Sequence, residues 1–395
     1  MSSDAANRAP ILSAYWLRGG FRPFFFLGAL AMALSVLVWL PFFAGAIQVS
    51  TAFAPRDWHI HTLLFGGLPA IIAGFALTAV ANWTGRPPVQ GGELLALVLL
   101  WLAGRLAVSL SAFTGPVLAA MIDLAFPAAL TAVFAREVIG GKNARNLRVV
   151  ALVALLTLAD LGFHVEAAAT GFADISARAG IALVMLLVLL IGGRIIPAFT
   201  RNWLKMRGAD RLPAGFSRLD GATMAISTLA FLMWTASPEW LATALVLLLA
   251  SIMNAVRMAR WRGLATRNEP LLLVLHVAYA TVPLGFLLIA LSNLSPEILL
   301  PSAALHIWTA GTFGLITLAV MTRASRGHSG RPLAAGGLEI AMYALVLIGA
   351  LSRVLAPYAD ARMMPVIDLA GLCWSGAFLA FAIGYGPMLL KAPRP

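Results

Sequence analysis

Apolar runs of about twenty residues recur along the whole of this 395-residue chain, and that recurrence limits the fold more than any other feature. Roughly twenty apolar residues is the length a helix needs to cross the ~30 Å hydrocarbon layer of a bilayer. Backbone in lipid must satisfy its own hydrogen bonds, so only helices and closed β-barrels span membranes. The runs are continuous rather than alternating, which excludes a barrel. The chain is therefore expected to be an all-α, polytopic membrane protein. Composition supports this: 61% of residues are hydrophobic and 11% charged, unlike any water-soluble domain. The single cysteine, Cys373, excludes an internal disulfide, a cysteine-pair zinc site and a covalent C-x-x-C-H haem attachment. The opening stretch MSSDAANRAPILSAYW has no charged n-region followed by a short apolar core, so no removable signal peptide is expected.

Twelve spans are predicted, at 25–46, 59–81, 92–111, 115–136, 147–168, 177–197, 220–236, 239–257, 270–291, 302–322, 335–356 and 364–388, forming one integral membrane domain over residues 1–395. An even count puts both termini on one side. With a cytoplasmic N-terminus, 23 of the 28 Lys and Arg fall in inner segments. Only Arg56, Arg178, Arg353 and Arg362 fall outside, and Arg105 lies within a span. The positive-inside rule then places both termini in the cytoplasm of a bacterial inner membrane. The net charge of +12 is thus a topology signal and implies no nucleic-acid partner. The longest inner connection, AFTRNWLKMRGADRLPAGFSRL (198–219), is basic with Trp203 and Phe216 interleaved, which suits a loop resting on anionic lipid. The remaining interfacial tryptophans, Trp58, Trp83, Trp101, Trp240 and Trp308, are expected in an aromatic belt. The inner ends of spans 2, 6 and 10 read LTAVANWTGR, PAFTRNWLKMR and LAVMTRASR, a weak repeat four helices apart. It would divide the chain into three four-helix units, resembling the architecture of haem-copper oxidases by analogy alone.

Ionisable groups inside the spans concentrate in the outer half: His59, His61, His164, His306, Arg105, Asp123, Asp160 and Asp368. Such groups are costly in lipid and either pair or mark a functional cavity. Arg105 and Asp123 lie at similar depth on consecutive helices, as an ion pair or with Arg105 facing an anionic group such as a haem propionate. WHIHTLLFG (58–66) sets His59 and His61 two residues apart, about 200° around a helix, so one metal cannot easily take both. Imidazole suits iron and copper alike. Without a second cysteine, a haem would be b-type, with a span-2 histidine and His306 as candidate axial ligands. Arg56 and Asp57 beside them could hold a metal or a propionate. His276 lies deeper, roughly 15 Å from His306 by helix rise, either in a second site or hydrogen-bonded to a neighbour. His328 falls in a polar loop, RASRGHSGR. No P-loop, G-x-S-x-G, H-E-x-x-H or dinucleotide-binding turn is present.

GGFRPFFFLGAL (19–30), WHIHTLLFG (58–66), GFALTAVANWTGRPP (74–88), GGRIIPAFTRNW (192–203) and LHIWTAGTFGLITLAVMTRASRGHSGR (305–331) together resemble the NnrS family over nearly the full chain. The resemblance implies a twelve-span bacterial inner-membrane protein containing haem and copper, linked to denitrification and the response to nitric oxide. It implies that His59, His61, His276 and His306 carry those cofactors. The family motif continues with an acidic residue after the second span-2 histidine, where this chain has Thr62. Three readings compete. The first is a haem-copper protein that binds nitric oxide and reduces it with electrons from an unknown donor, with Asp123, Asp160 and Asp368 as candidates for a proton route. The second is a non-catalytic sensor or metal-handling protein. The third is a secondary transporter with structural histidines, which lacks the paired broken helices of that class.

Overall fold

The computed structural model describes residues 14–392; Arg8, Arg394 and most of the opening stretch lie outside the described residues. Within them are twelve helices long and apolar enough to cross a membrane, and no strand. They are α1 (Phe21–Phe43), α2 (Pro55–Thr84), α3 (Gly91–Ser109), α4 (Pro116–Gly140), α5 (Ala144–Thr170), α6 (Asp174–Met206), α7 (Arg218–Ala236), α8 (Leu241–Ala259), α9 (Pro270–Leu294), α10 (Pro301–His328), α11 (Gly337–Tyr358) and α12 (Asp360–Leu390). The chain is a multi-pass membrane protein.

Local chemistry sets the helix ends. Proline occupies the first helical position of α2, α4, α9 and α10, where its missing N–H costs nothing. Gly85 and Gly171 follow α2 and α5 in the left-handed conformation that closes a helix without a Cβ penalty. Each expected span coincides with one helix, but two run on. α6 continues to Met206, so the first part of the expected 198–219 loop is helical, and α10 continues through His328. Hydropathy reports only the length matched to lipid. The helix itself persists until Gly208 and Gly330, both at positive φ, break it.

Contacts sort the chain into two compact units. The first comprises residues up to Gly180 together with Ala324–Arg331 and the end from Phe378. In it α1 packs on α2, α2 on α4, α3 on α4 and α4 on α5. Its core holds Phe24, Leu77, Leu97, Trp101, Phe126 and Leu130. Gly74 lets α1 and α2 approach closely, since a Cβ there would sit 2.7 Å from the Phe25 ring. The second unit comprises Ile181–Arg323 and Pro332–Ala377. In it α7 packs on α8 and α8 on α9 around Arg257, which is 2% exposed. Arg257 Nε donates to Asp220 (3.1 Å) and Nη1 to Tyr279 Oη (3.0 Å); Tyr279 in turn donates to Asn254 (2.9 Å).

α2 and α10 are the most enclosed spans, each with 72% of its apolar window buried. Each starts with a proline-led helical turn, reaches a histidine, and then opens into six residues of π-helix: Thr62–Gly67 after His61 and Ile307–Thr312 after His306. Such segments are rare and recur at functional sites. Burial also corrects the tryptophan expectation. Trp58, Trp101 and Trp308 face the protein interior, with Trp101 Nε1 donating to Gly66 O (3.0 Å) and Trp308 Nε1 to Val282 O (3.1 Å). Position along a span does not reveal which face an indole takes. Trp240, by contrast, is 63% exposed where α8 begins.

Candidate metal centre

Consecutive spans run antiparallel, so the starts of α2 and α4 meet the ends of α3 and α5 at one end of the first unit. By helix rise His61 lies about 9 Å in from Pro55 and Asp123 about 10 Å in from Pro116. Arg105 lies about 6 Å, His164 about 9 Å and Asp160 about 15 Å from the ends of their helices. Asp160 and His164 are one turn apart on α5, so both face the same way.

There the side chains converge. His61 Nε2 is 3.0 Å from Asp160 Oδ1 and 3.1 Å from Asp123 Oδ2. His164 Nε2 is 3.2 Å from the same Asp123 Oδ2 and 3.9 Å from Asp160 Oδ1. Arg105 Nη2 donates to the other oxygen, Asp123 Oδ1. His61 and Asp123 are fully enclosed, and Asp160 and His164 nearly so. Phe53, Phe65 and Phe163 wall His61, with ring centroids 5.2–5.6 Å away. Gly104 admits the carboxylate, because a Cβ there would lie 2.6 Å from Asp123 Oδ1; a Cβ on Gly66 would overlap Arg105 Nη1.

Charge decides what this arrangement can hold. Two carboxylates against one guanidinium leave one negative charge in excess when both imidazoles are neutral. Buried in a membrane, that charge requires either a proton on an imidazole or a cation between the donors. His61 Nδ1 is buried without a hydrogen-bond partner. In the absence of a cation its proton is therefore better placed on Nε2, where two carboxylates accept it. The four ligand atoms all lie within 4.8 Å of one another, a spacing a single ion can bridge. Among the described residues, this is the group of His, Cys, Asp and Glu side chains with metal-binding spacing.

The other expected site residues are distributed elsewhere. His59, half-buried, stacks on Trp39 with centroids 4.1 Å apart, a different setting from that of His61, as their 200° separation demands. Arg56 pairs with Asp57 (2.8 Å) and Asp174 (2.9 Å). Asp57 also accepts the Ala173 N–H (2.9 Å), pinning the start of α2 to the α5–α6 turn. In the second unit, His276 Nε2 is 2.8 Å from Thr200 Oγ1, and half-buried His306 directs Nδ1 at the Ser302 carbonyl (2.5 Å). His328 ends α10 rather than lying in a loop, its ring 5.5 Å from that of Phe21. Asp368 is exposed on α12, unlike Asp123 and Asp160.

Sequence reasoning placed Asp123, Asp160, His164 and His61 in one membrane half without joining them. The usable signals were the i, i+4 pair on α5 and the matched depths on α2 and α4.

A family model described as NnrS protein matches residues 15–393. The chain belongs to the NnrS family. The match spans both units, and so confirms the resemblance carried by the five motifs. Family membership supports a role in the nitric oxide response. Comparison with curated proteins returns no match.

Proposed function

We propose that the chain is a metal- and haem-binding protein of the bacterial inner membrane that handles nitric oxide, and that His61, Asp123, Asp160 and His164 hold its metal ion. The observation that carries this reading is the buried cluster itself: four donor atoms within 4.8 Å, walled by aromatic rings and one positive charge short. Two imidazoles and two carboxylates, with no thiolate or thioether, suit copper(II), iron or zinc better than copper(I). Copper, which the family resemblance implies, fits these donors in its divalent form.

The same cluster does not fit a porphyrin. His61 is fully enclosed and its Nε2 already faces two carboxylates. Haem is therefore assigned outside the cluster, with His59 as the candidate ligand in the first unit and His306 as the candidate ligand in the second. The Nδ1 of His306 on a backbone carbonyl is the arrangement that leaves Nε2 as the ligand atom. Ferrous haem would supply a site for nitric oxide. The residues of the cluster orient and enclose the ion and exclude water from it. Basic residues on the connecting segments support cytoplasmic termini, which puts the cluster in the periplasmic half.

A second reading, metal handling without turnover, is favoured by the four protein donors around one point, since closed shells are typical of structural sites. Metal analysis and an optical spectrum of the purified protein test the proposal, followed by nitric oxide addition with and without reductant. A Soret band that moves with nitric oxide, together with one ion per chain lost in His61→Ala and His164→Ala, is the expected result. A colourless protein, or metal content unchanged in both variants, sinks it. Consumption of nitric oxide separates catalysis from binding.

A further inference from the structure

We infer that a groove between α1 and the end of α12 holds one acyl chain of an anionic phospholipid, with the lipid headgroup on Lys391. The groove lies outside the metal cluster, and what fills it does not depend on any metal or haem.

Both helices belong to the first unit here. Arg22 ties them together: it is buried at the start of α1, and its Nη1 donates to the Met388 carbonyl of α12 (3.1 Å). Beside that tie a groove of about 330 Å³ opens, at the lower end of ligand-sized pockets. Phe26 and Leu30, one turn apart on α1, form one wall. Ala382, Gly386 and Leu390, each four residues from the next on α12, form the other. Gly386 keeps that wall thin, since a Cβ there would lie 3.2 Å from the Phe26 ring. Ile383, also in the lining, is 76% exposed and leaves the long side open to lipid. Lys391, exposed at the mouth, is the one charged group in the lining.

Dimensions decide the occupant. By helix rise Leu30 lies about 14 Å in from Phe21, and Ala382 about 12 Å in from Leu390. One leaflet of the ~30 Å hydrocarbon layer is about 15 Å deep. The groove therefore runs from the membrane surface to near the midplane, which is the reach of one acyl chain in its own leaflet. A partner helix crossing the bilayer would need twice that length. A second copy related by a two-fold axis along the membrane normal would bring two Lys391 side chains together, which like charges oppose.

Charge decides the headgroup. Exposed Arg18 stands three residues ahead of α1, at the same end of the first unit as Lys391. Cations at the end of a span attract anionic headgroups, each cation contributing about fivefold in binding. A zwitterionic lipid fills the groove equally well but gains no such advantage.

The test uses the full-length protein, purified in detergent and followed by native mass spectrometry. Dioleoyl phosphatidylglycerol and dioleoyl phosphatidylcholine are titrated separately, so that only the headgroup differs. One saturably retained phosphatidylglycerol per chain is expected, with phosphatidylcholine at least about fivefold weaker. Lys391→Gln, at an exposed position, should weaken phosphatidylglycerol about fivefold and leave phosphatidylcholine unchanged. Leu30→Trp narrows the groove and should lower retention of both lipids. Should that variant fail to fold, the unmodified chain still locates the site: phosphatidylglycerol carrying a diazirine on one acyl chain should cross-link to peptides containing Phe26–Leu30 and Ala382–Leu390. Equal affinity for the two lipids, phosphatidylglycerol binding unchanged in Lys391→Gln, adducts confined to other spans, or a lipid-free dimer would each overturn the inference.

Discussion

Asp123→Asn is the substitution that most directly weighs the cluster. The replacement keeps shape and removes charge. Asp123 is fully enclosed and takes Arg105 on one oxygen and both His61 and His164 on the other. Asparagine can still accept on one oxygen, but it turns an NH2 toward donors and leaves Arg105, only 17% exposed, without its counter-charge. Breaking a buried pair from one side costs about 3–5 kcal/mol. A control lies on the same helix: Glu137 is also enclosed, but its partners Arg86 and Arg136 are 41% and 52% exposed. Water takes over those cations when the carboxylate is lost, so Glu137→Gln should cost no more than about 1 kcal/mol. Equilibrium unfolding in mixed micelles reads both. Equal losses in the two variants, or less than about 1 kcal/mol for Asp123→Asn, would refute the account of a desolvated charge network. The double variant Asp123→Leu with Arg105→Leu should recover most of the stability, because apolar side chains replace buried ion pairs at little cost, while bound metal is lost. Recovery with metal content intact would show that the ion sits elsewhere.

Further outcomes follow from single contacts. Gly66→Ala drives a methyl into Arg105 and should destabilise by about 1–3 kcal/mol, whereas Gly221→Ala on α7, where a Cβ meets nothing within 4 Å, should stabilise by about 0.5–1 kcal/mol. Thermal unfolding of the pair checks the sign of each. Trp101→Phe removes the donor to the Gly66 carbonyl and should cost about 1 kcal/mol by the same measurement. The native Cys373 is buried, so introduced cysteines can report topology. A membrane-impermeant maleimide should label Glu297→Cys in intact spheroplasts and Arg211→Cys only in inverted vesicles; the opposite pattern would reverse the proposed orientation.

Much of the architecture was legible because a bilayer makes it so. Lipid cannot hydrogen-bond a backbone, so every run of twenty apolar residues had to become a helix, and all twelve did. The i, i+2 spacing of His59 and His61 likewise required two environments. Three things were not legible. The ends of α6 and α10 lie beyond the lipid, where glycines rather than hydropathy stop the helix. Trp101 and Trp308 could belong to a belt or a core, and only packing chose the core. The π-helical turns after His61 and His306 carry no periodicity that distinguishes them from ordinary helix.

By itself, then, the sequence determined the fold class and the twelve spans, because both depend only on the local cost of polar groups in lipid. It did not determine which charges meet. His61 on α2, Arg105 on α3, Asp123 on α4 and Asp160 and His164 on α5 share depth with other candidates, and depth is one coordinate of three. Their common facing direction is fixed by how the helices rotate against one another, and that rotation is decided by packing across the whole unit.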